Sequence, residues 1–415
     1  MRRLFTALLA VAALAACGTP QARVITAEGV GRETPAEPPV EETVRGLTAF
    51  GHALFAATAR PGANAVLSPL SIGHAYGMAR AGAGGGTGPE LDEVFGFPAQ
   101  GPHTSFNALT RQIVTLDGPP PAPTPDVRRD AQESEPAAPI VGVASGLFTQ
   151  EGLSVRPEFL RTLAAQYGAG VRQVDFTKDA AGVIDAWADR QTAGRIKKVF
   201  DQLDPRTRLV IANAVYLKAE WATAFTDPPE ENAAFTRADG TAVRTTLMRQ
   251  MGTFGYASGA GWQAVELRYA KGDLAMWVLL PQAGGSPAGL LAPAVMAEVA
   301  AGLRETPVTV VMPRWDFSTA LSLQEPLREL GLDGSDYSGI ADGAFLGQAT
   351  HRATITVDEW GTEAAAVTGL AFPISAMASG EAEIRADHPF AFAIVHRPTL
   401  TPLFVGQVAD PAAED

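Results

Sequence analysis

Few side chains in this 415-residue chain are of a type and spacing that could do chemistry. Its one cysteine, Cys17, excludes an intrachain disulfide. There is no second thiol, and His52, His74, His103, His388 and His396 show no ligand spacing, so no structural zinc and no other cofactor is expected. Residues 82–88 carry the glycines of a phosphate loop but lack its closing Gly-Lys-Ser/Thr and a preceding hydrophobic strand, and they read as a turn. In Gly142-Val143-Ala144-Ser145-Gly146 the serine stands one place late for the nucleophile elbow of a hydrolase. A hydrolase using Ser375 with His351 would need a third group to orient the histidine and donors for an oxyanion, and neither is visible. The chain is not expected to be an enzyme.

The cysteine has a telling context. Arg2 and Arg3 give a positive start, and residues 4–16 are apolar, long enough for the core of an export signal and too short to span a bilayer comfortably. Leu14-Ala15-Ala16-Cys17 is similar to the lipobox of bacterial lipoproteins. That resemblance implies a signal peptide over 1–16, a diacylated Cys17 thiol and an acylated new amine; two or three chains hold a protein on a membrane stably. The competing reading is an ordinary secretory signal with an incidental cysteine. Gly18 after the cysteine fits outer-membrane sorting in a Gram-negative cell. The expectation is an exported protein, anchored through Cys17 in the envelope or displayed at the cell surface.

Several elements stand ready to position functional groups. Residues 17–43, rich in Pro, Glu, Thr and Ala, read as a flexible tether. From Val44 a folded domain begins, with Leu47, Phe50, Leu54 and Phe55 at helical spacing. Residues 117–139, with five prolines from 119 to 125 and the charged run Arg128-Arg129-Asp130, read as a surface insertion. Helices are expected over 157–167 and 180–193, the latter stopped by Gly194. Strands are expected over 209–217, 274–280, 308–312, 354–357, 390–395 and 403–405. Helices first and strands later indicate an α+β architecture. The net charge of −13 argues against non-specific nucleic-acid binding, and Lys197-Lys198 reads as a solvated helix face.

Six segments in order, from about Leu47 to Pro411, resemble the serpins. They are residues 64–72 (Asn-Ala-Val-Leu-Ser-Pro-Leu-Ser-Ile), the turn 82–87, residues 213–221 with Phe225 after them, His351-Arg352-Ala353 leading into 357–368, Asp387-His388-Pro389-Phe390, and residues 403–408. The resemblance implies one domain over 44–411, with three β-sheets, about nine helices and an exposed reactive loop over 361–386. It implies a monomer that is metastable, with a gap in its main sheet that the loop can fill. Ser68, Ser71, Asn213 and His351 match the family's buried polar cluster under that sheet, and Ser145 is expected at the start of a strand. Trp221 matches the tryptophan where the loop first enters; alone it would be read as core.

In this resemblance residues 359–368 are the hinge, and their types suit the part. The preceding strand is expected to end near Glu359, with Gly361 as a pivot free of side-chain penalty. Thr362 is uncharged and β-branched, Ala364, Ala365 and Ala366 are small, and Val367 and Thr368 favour strands. Glu363 would face solvent by alternation. No proline falls between Gly361 and Phe372, so every ladder bond can form. The implied partner is a serine protease, held as a covalent acyl complex. Family spacing puts the scissile bond at Ser375-Ala376, with Ile374, Met377 and Ala378 as alternatives. With no Lys or Arg between Gly361 and Ile384, elastase-like or subtilisin-like proteases are the expected targets, chymotrypsin-like ones come second and trypsin-like ones are poor.

Overall fold

The computed structural model describes residues 22–116, 118–121, 135–362 and 381–413. Strand β1 (Arg23–Ile25) precedes helix α1 (Val40–Thr58), whose Val44, Leu47, Phe50, Leu54 and Phe55 form one buried stripe. Strand β2 (Ala65–Leu67) passes through Ser68 into α2 (Pro69–Arg80). Ser68 is the N-cap, its Oγ accepting from the Ser71 N–H at 3.2 Å, and Pro69 presets the first helical φ. Helix α2 is buried from Pro69 to Ala79, the mark of a helix inside the molecule. Helices α3 (Thr87–Phe95) and α4 (His103–Ile113) complete the first helical layer.

Strand β3 (Ile140–Gln150) is followed by α5 (Pro157–Thr162), a π-helical turn (Leu163–Tyr167), β4 (Val171–Val174), α6 (Ala180–Gln191) and β5 (Leu209–Glu220). Strand β5 is a nearly unbroken apolar run because both its faces are covered. Leu209, Ile211, Val215 and Leu217 join the main core, while Val210, Ala212 and Ala214 pack with Ile184 and Trp187 of α6. Next come β6 (Asp227–Thr236), β7 (Ala242–Gly259), β8 (Trp262–Arg268), β9 (Leu274–Pro281), α7 (Pro293–Gly302), β10 (Arg304–Pro313) and β11 (Trp315–Ser322). The chain closes with α8 (Gln324–Glu329), β12 (Leu346–Val357), β13 (Gly361–Thr362), β14 (Ala382–Arg385), β15 (Phe390–His396) and β16 (Thr401–Val408).

The strands pair into a seven-stranded sheet, β1-β4-β3-β5-β13-β12-β11, and a nine-stranded array, β14-β10-β7-β8-β9-β15-β16-β2 with β6 beside β7. The 18-residue β7 holds the larger array together. Its first half pairs with β6 and its last residues with β8, so the strands form two hydrogen-bonded sheets where three were expected, because β7 runs unbroken through the larger one. Among the described residues there are eight α-helices.

Two sequence expectations need correction. Residues 22–43 are not a tether: β1 adds to the sheet edge at β4 and the chain from Arg32 is bonded to α4 before α1 begins. Composition misled because backbone pairing and arginine forks need no large apolar residue. Ser145 lies in the middle of β3 and not at its start, since the strand extends back to Ile140. Of the insertion, residues 135–139 are docked: Glu135 pairs with Lys271 at 2.9 Å and the Ala137 N–H donates to Glu220 at 2.8 Å.

Candidate functional site

Three adjacent strands of the seven-stranded sheet place one polar residue each in a row. Ser145 on β3 stands opposite Asn213 on β5, and Asn213 stands opposite His351 on β12. Helix α2 runs beneath and adds Ser71 and His74, three residues apart on one face. The His351 Nε2 accepts from the Ser68 N–H at 3.1 Å, so its Nδ1 carries the proton and donates to Asn213 Oδ1 at 2.7 Å. The Asn213 amide then donates to Ser71 O at 2.7 Å and Ser71 Oγ at 2.6 Å. It reaches Ser145 Oγ at 3.4 Å, and Ser145 Oγ shares a hydrogen bond of 2.9 Å with His74 Nδ1. Burial holds both imidazoles down to about 3, so both are neutral near pH 7. The structure thus brings together Ser68, Ser71, Asn213 and His351, and joins to them Ser145 and His74, which sequence reasoning passed over. The i, i+3 relation of Ser71 to His74 was the one local signal for the histidine.

Above this row the two central strands part. Strands β5 and β12 pair in parallel only from Leu346 and Leu209 up to Arg352 and Ala214. Among the described residues, no strand pairs with residues 215–218 of β5 or 353–356 of β12 across the seam between them. The seam is closed at its top by β13, where Gly361 stands opposite Glu220 and Thr362 is flanked by Ala219 and Val357. Strand β12 ends at Val357, two residues before Glu359, and residues 358–361 turn back into the sheet.

This turn is held from several sides. The Asp358 Oδ1 accepts from the N–H groups of Trp360 at 2.8 Å and Gly361 at 3.1 Å. Burial pushes its carboxyl up to about 6, against those two bonds. Trp221 is buried, its indole N–H donates to Asp358 O at 3.0 Å, and its ring stacks on Tyr269 at 4.6 Å between centroids. The Tyr269 hydroxyl meets Thr362 Oγ1 at 2.5 Å, and Thr362 is only 3% exposed. Glu359 is likewise buried, paired with Arg314 at 2.8 Å. A Cβ on Gly361 would stand 2.1 Å from Ala219 O, so glycine is needed here for close approach. Glu363, Ala364, Ala365, Ala366, Val367, Thr368, Ile374, Ser375, Ala376, Met377 and Ala378 lie outside the described residues, as does Cys17.

A model of the family described as Serpin (serine protease inhibitor) matches residues 45–411. The chain belongs to the serpin family. It is 33% identical over 381 residues to a serpin-like protein of Thermococcus kodakarensis, covering 89% of this chain and 85% of that one. It is 31% identical to the leukocyte elastase inhibitor of Bos taurus, over 85% of this chain and 94% of that one. Among solved structures, this serpin resembles native tengpin, a thermophilic serpin, with a TM-score of 0.80 and 20% identity over 94% of this chain and all of that one. Thyroxine-binding globulin in complex with thyroxine follows, with a TM-score of 0.75 and 24% identity over 90% and 99%. At these identities the structural likenesses speak to fold alone.

Proposed function

We propose that this serpin is an irreversible suicide-substrate inhibitor of serine proteases, with elastase-like or subtilisin-like enzymes as its targets. One observation carries the reading: the unpaired seam between β5 and β12, with Thr362 seated at its mouth. Residues 363–380 follow directly, and their composition allows them to fill it. The fold alone does not decide for inhibition, since a thyroxine-binding protein shares it. The proline-free run after Thr362, small and uncharged from Ala364 to Thr368 with Glu363 on the solvent side by alternation, does favour it.

The target's serine Oγ attacks the carbonyl carbon of Ser375. The bond to the Ala376 nitrogen breaks, that nitrogen leaves as a protonated amine, and Ser375 remains as an ester on the protease. The freed segment then pairs with β5 on one side and β12 on the other. Each inserted residue gains ladder hydrogen bonds and burial between sheet faces already covered by α2 and α6. The ester-linked protease is carried along the sheet and loses the geometry that water would need to finish the reaction. This chain supplies the spring and the bait, and the protease supplies the catalytic groups. Anchoring through Cys17 would place the inhibitor in the envelope or at the cell surface, where exported proteases act.

The test is incubation with a pancreatic-type elastase, a subtilisin, a chymotrypsin and a trypsin. The expected result is a complex with the first two that survives boiling in detergent, together with a small C-terminal fragment beginning at Ala376. Cleavage with no complex from any of the four, or efficient trapping of trypsin alone, would overturn the reading. A fragment beginning at Ser379 would move the scissile bond to Ala378 without changing the mechanism.

A further inference from the structure

We propose that the cleft between α4 and the π-helical turn is a binding site for a free amino acid with a polar side chain, its carboxylate taken by Arg161 and its ammonium group by Glu33. No residue of the cleft belongs to the seam, the hinge or the loop, so the site stands apart from the proposed inhibition. The cleft holds about 300 Å³, at the small end of the range for small-molecule sites. The start of α4 contributes His103 and Thr104 to its lining, with Gly101 just before them. The end of α5 contributes Arg161, and the π-helical turn contributes Gln166. Such turns are rare and gather at functional sites.

Glu33, the acid of the cleft, is set in place from several sides. Its N–H donates to Ala165 O at 2.8 Å, and its carbonyl accepts from the Asn107 amide at 2.9 Å. Its Oε2 accepts from the Gln166 amide at 2.8 Å, and Gln166 is held in turn by a bond of 3.2 Å from Asn107. The other carboxylate oxygen has no partner among the described residues. Arg161 likewise makes no hydrogen bond or ion pair among the described residues, and the two charges do not pair with each other. Opposite charges that line one cleft and leave each other free are complementary to a zwitterion. Both are exposed, and an exposed ion pair alone is worth little. A ligand that carries both charges gains two such contacts while losing its freedom of motion once. Simple acetate or a simple amine gains only one.

His103 sets the character of the rest of the cleft. Its Nδ1 shares a hydrogen bond of 2.8 Å with the Tyr167 hydroxyl, so Nε2 is the ring nitrogen left for a ligand. A Cβ on Gly101 would stand 3.7 Å from that nitrogen, and the bare glycine, at a φ of 87°, leaves the ring edge uncovered. Burial, aided by the nearby Arg80 charge, holds the imidazole down to about 4, so near pH 7 it offers a polar contact and no charge. With the Thr104 hydroxyl beside it, this lining suits a polar ligand side chain.

The experiment is calorimetric titration of the folded full-length protein with L-serine, L-glutamine, acetate and ethylamine. One saturable site is expected for at least one of the two amino acids, with acetate and ethylamine each at least about tenfold weaker. Arg161→Gln and Glu33→Gln each remove one charge and keep a hydrogen-bonding head. Each is expected to weaken binding about tenfold, the loss of one charge-assisted contact. Thr104→Phe touches neither charge but narrows the cleft, and it should abolish binding; it serves where a charge variant does not fold. Acetate bound as tightly as the amino acids would make this a plain anion site and overturn the zwitterion. No saturable heat with either amino acid, or binding unchanged in Arg161→Gln, Glu33→Gln or Thr104→Phe, would overturn the site itself. None of these readouts depends on whether a protease is trapped, so the site and the inhibitory reading stand or fall separately.

Discussion

At the scale of single residues, Thr362 and Asp358 decide how the loop meets the sheet. Thr362 is buried between Ala219 and Val357 with its hydroxyl on Tyr269, a place closed to water. Arginine there would have to leave water or hold the hinge out. Under the proposed function, Thr362→Arg is expected to turn an inhibitor into a substrate: the loop is still cut, and the detergent-stable complex on a gel is lost. Asp358 allows a pH test. Its carboxyl is raised from 3.8 to about 6 by burial, so the seated turn binds a proton more readily than a solvated one does. That contribution to stability is complete below about pH 3.8 and is lost as pH rises through about 6. His74 and His351 act oppositely: held down to about 3, they favour the fold above 6.5 and cease to do so as pH falls. The Asp358 part is therefore read as a difference. Asp358→Asn keeps an acceptor for the Trp360 and Gly361 N–H groups but cannot titrate. Wild type should gain in melting temperature on that variant between pH 7 and pH 5, and parallel curves would refute the assignment.

At the scale of elements, the insertion between α4 and β3 is two things. Residues 135–139 are part of the rim of the seam, since Ala137 bonds to Glu220, and Glu220 stands opposite Gly361. Residues 122–134 are Pro-rich and charged, without the apolar content to build a core. Deleting 122–134 with a short Gly-Ser bridge should leave the stoichiometry of inhibition within about twofold, as expected when no core contact is removed. Extending the deletion through Ala137 should raise the stoichiometry, by removing the Ala137 bond to Glu220 beside the hinge. Equal effects of the two deletions, in a titration against one protease, would contradict this division.

At the scale of the whole molecule, the edge of the seven-stranded sheet and the proposed lipid anchor lie close together in the chain. If Cys17 carries lipid, only residues 18–22 separate it from β1, a reach of no more than ~22 Å even when fully extended. The seven-stranded sheet would then sit with its β1 edge close to the membrane and the body could not swing on a long leash. Cys17→Ser should move the protein from the membrane pellet to the supernatant in cell fractionation, or leave the leader uncleaved. Unchanged sedimentation of a processed Cys17→Ser protein would exclude the lipid anchor.

Much of this was legible in the sequence, because much of it is local. The Ser68-Pro69 cap, the α1 stripe, the apolar run of β5 and the small residues after Gly361 each declare their role through neighbours a few positions away. The motif around Asn213 and that around His351 could be read separately as polar residues in buried strands. That they stand directly opposite each other is a matter of register between strands far apart in sequence, and only the packed sheet fixes it. The same holds for Ser145 and His74, whose bond depends on where β3 crosses α2. Residues 22–43 were misread for the converse reason: composition reports on the ability to form a core, whereas β1 and Arg32 gain their hold from backbone and polar partners that other elements present. The hinge combines both cases. Its composition is of a kind that a sheet can take in, and only the tertiary structure, through the missing side chain of Gly361 against Ala219 O, places Thr362 already inside.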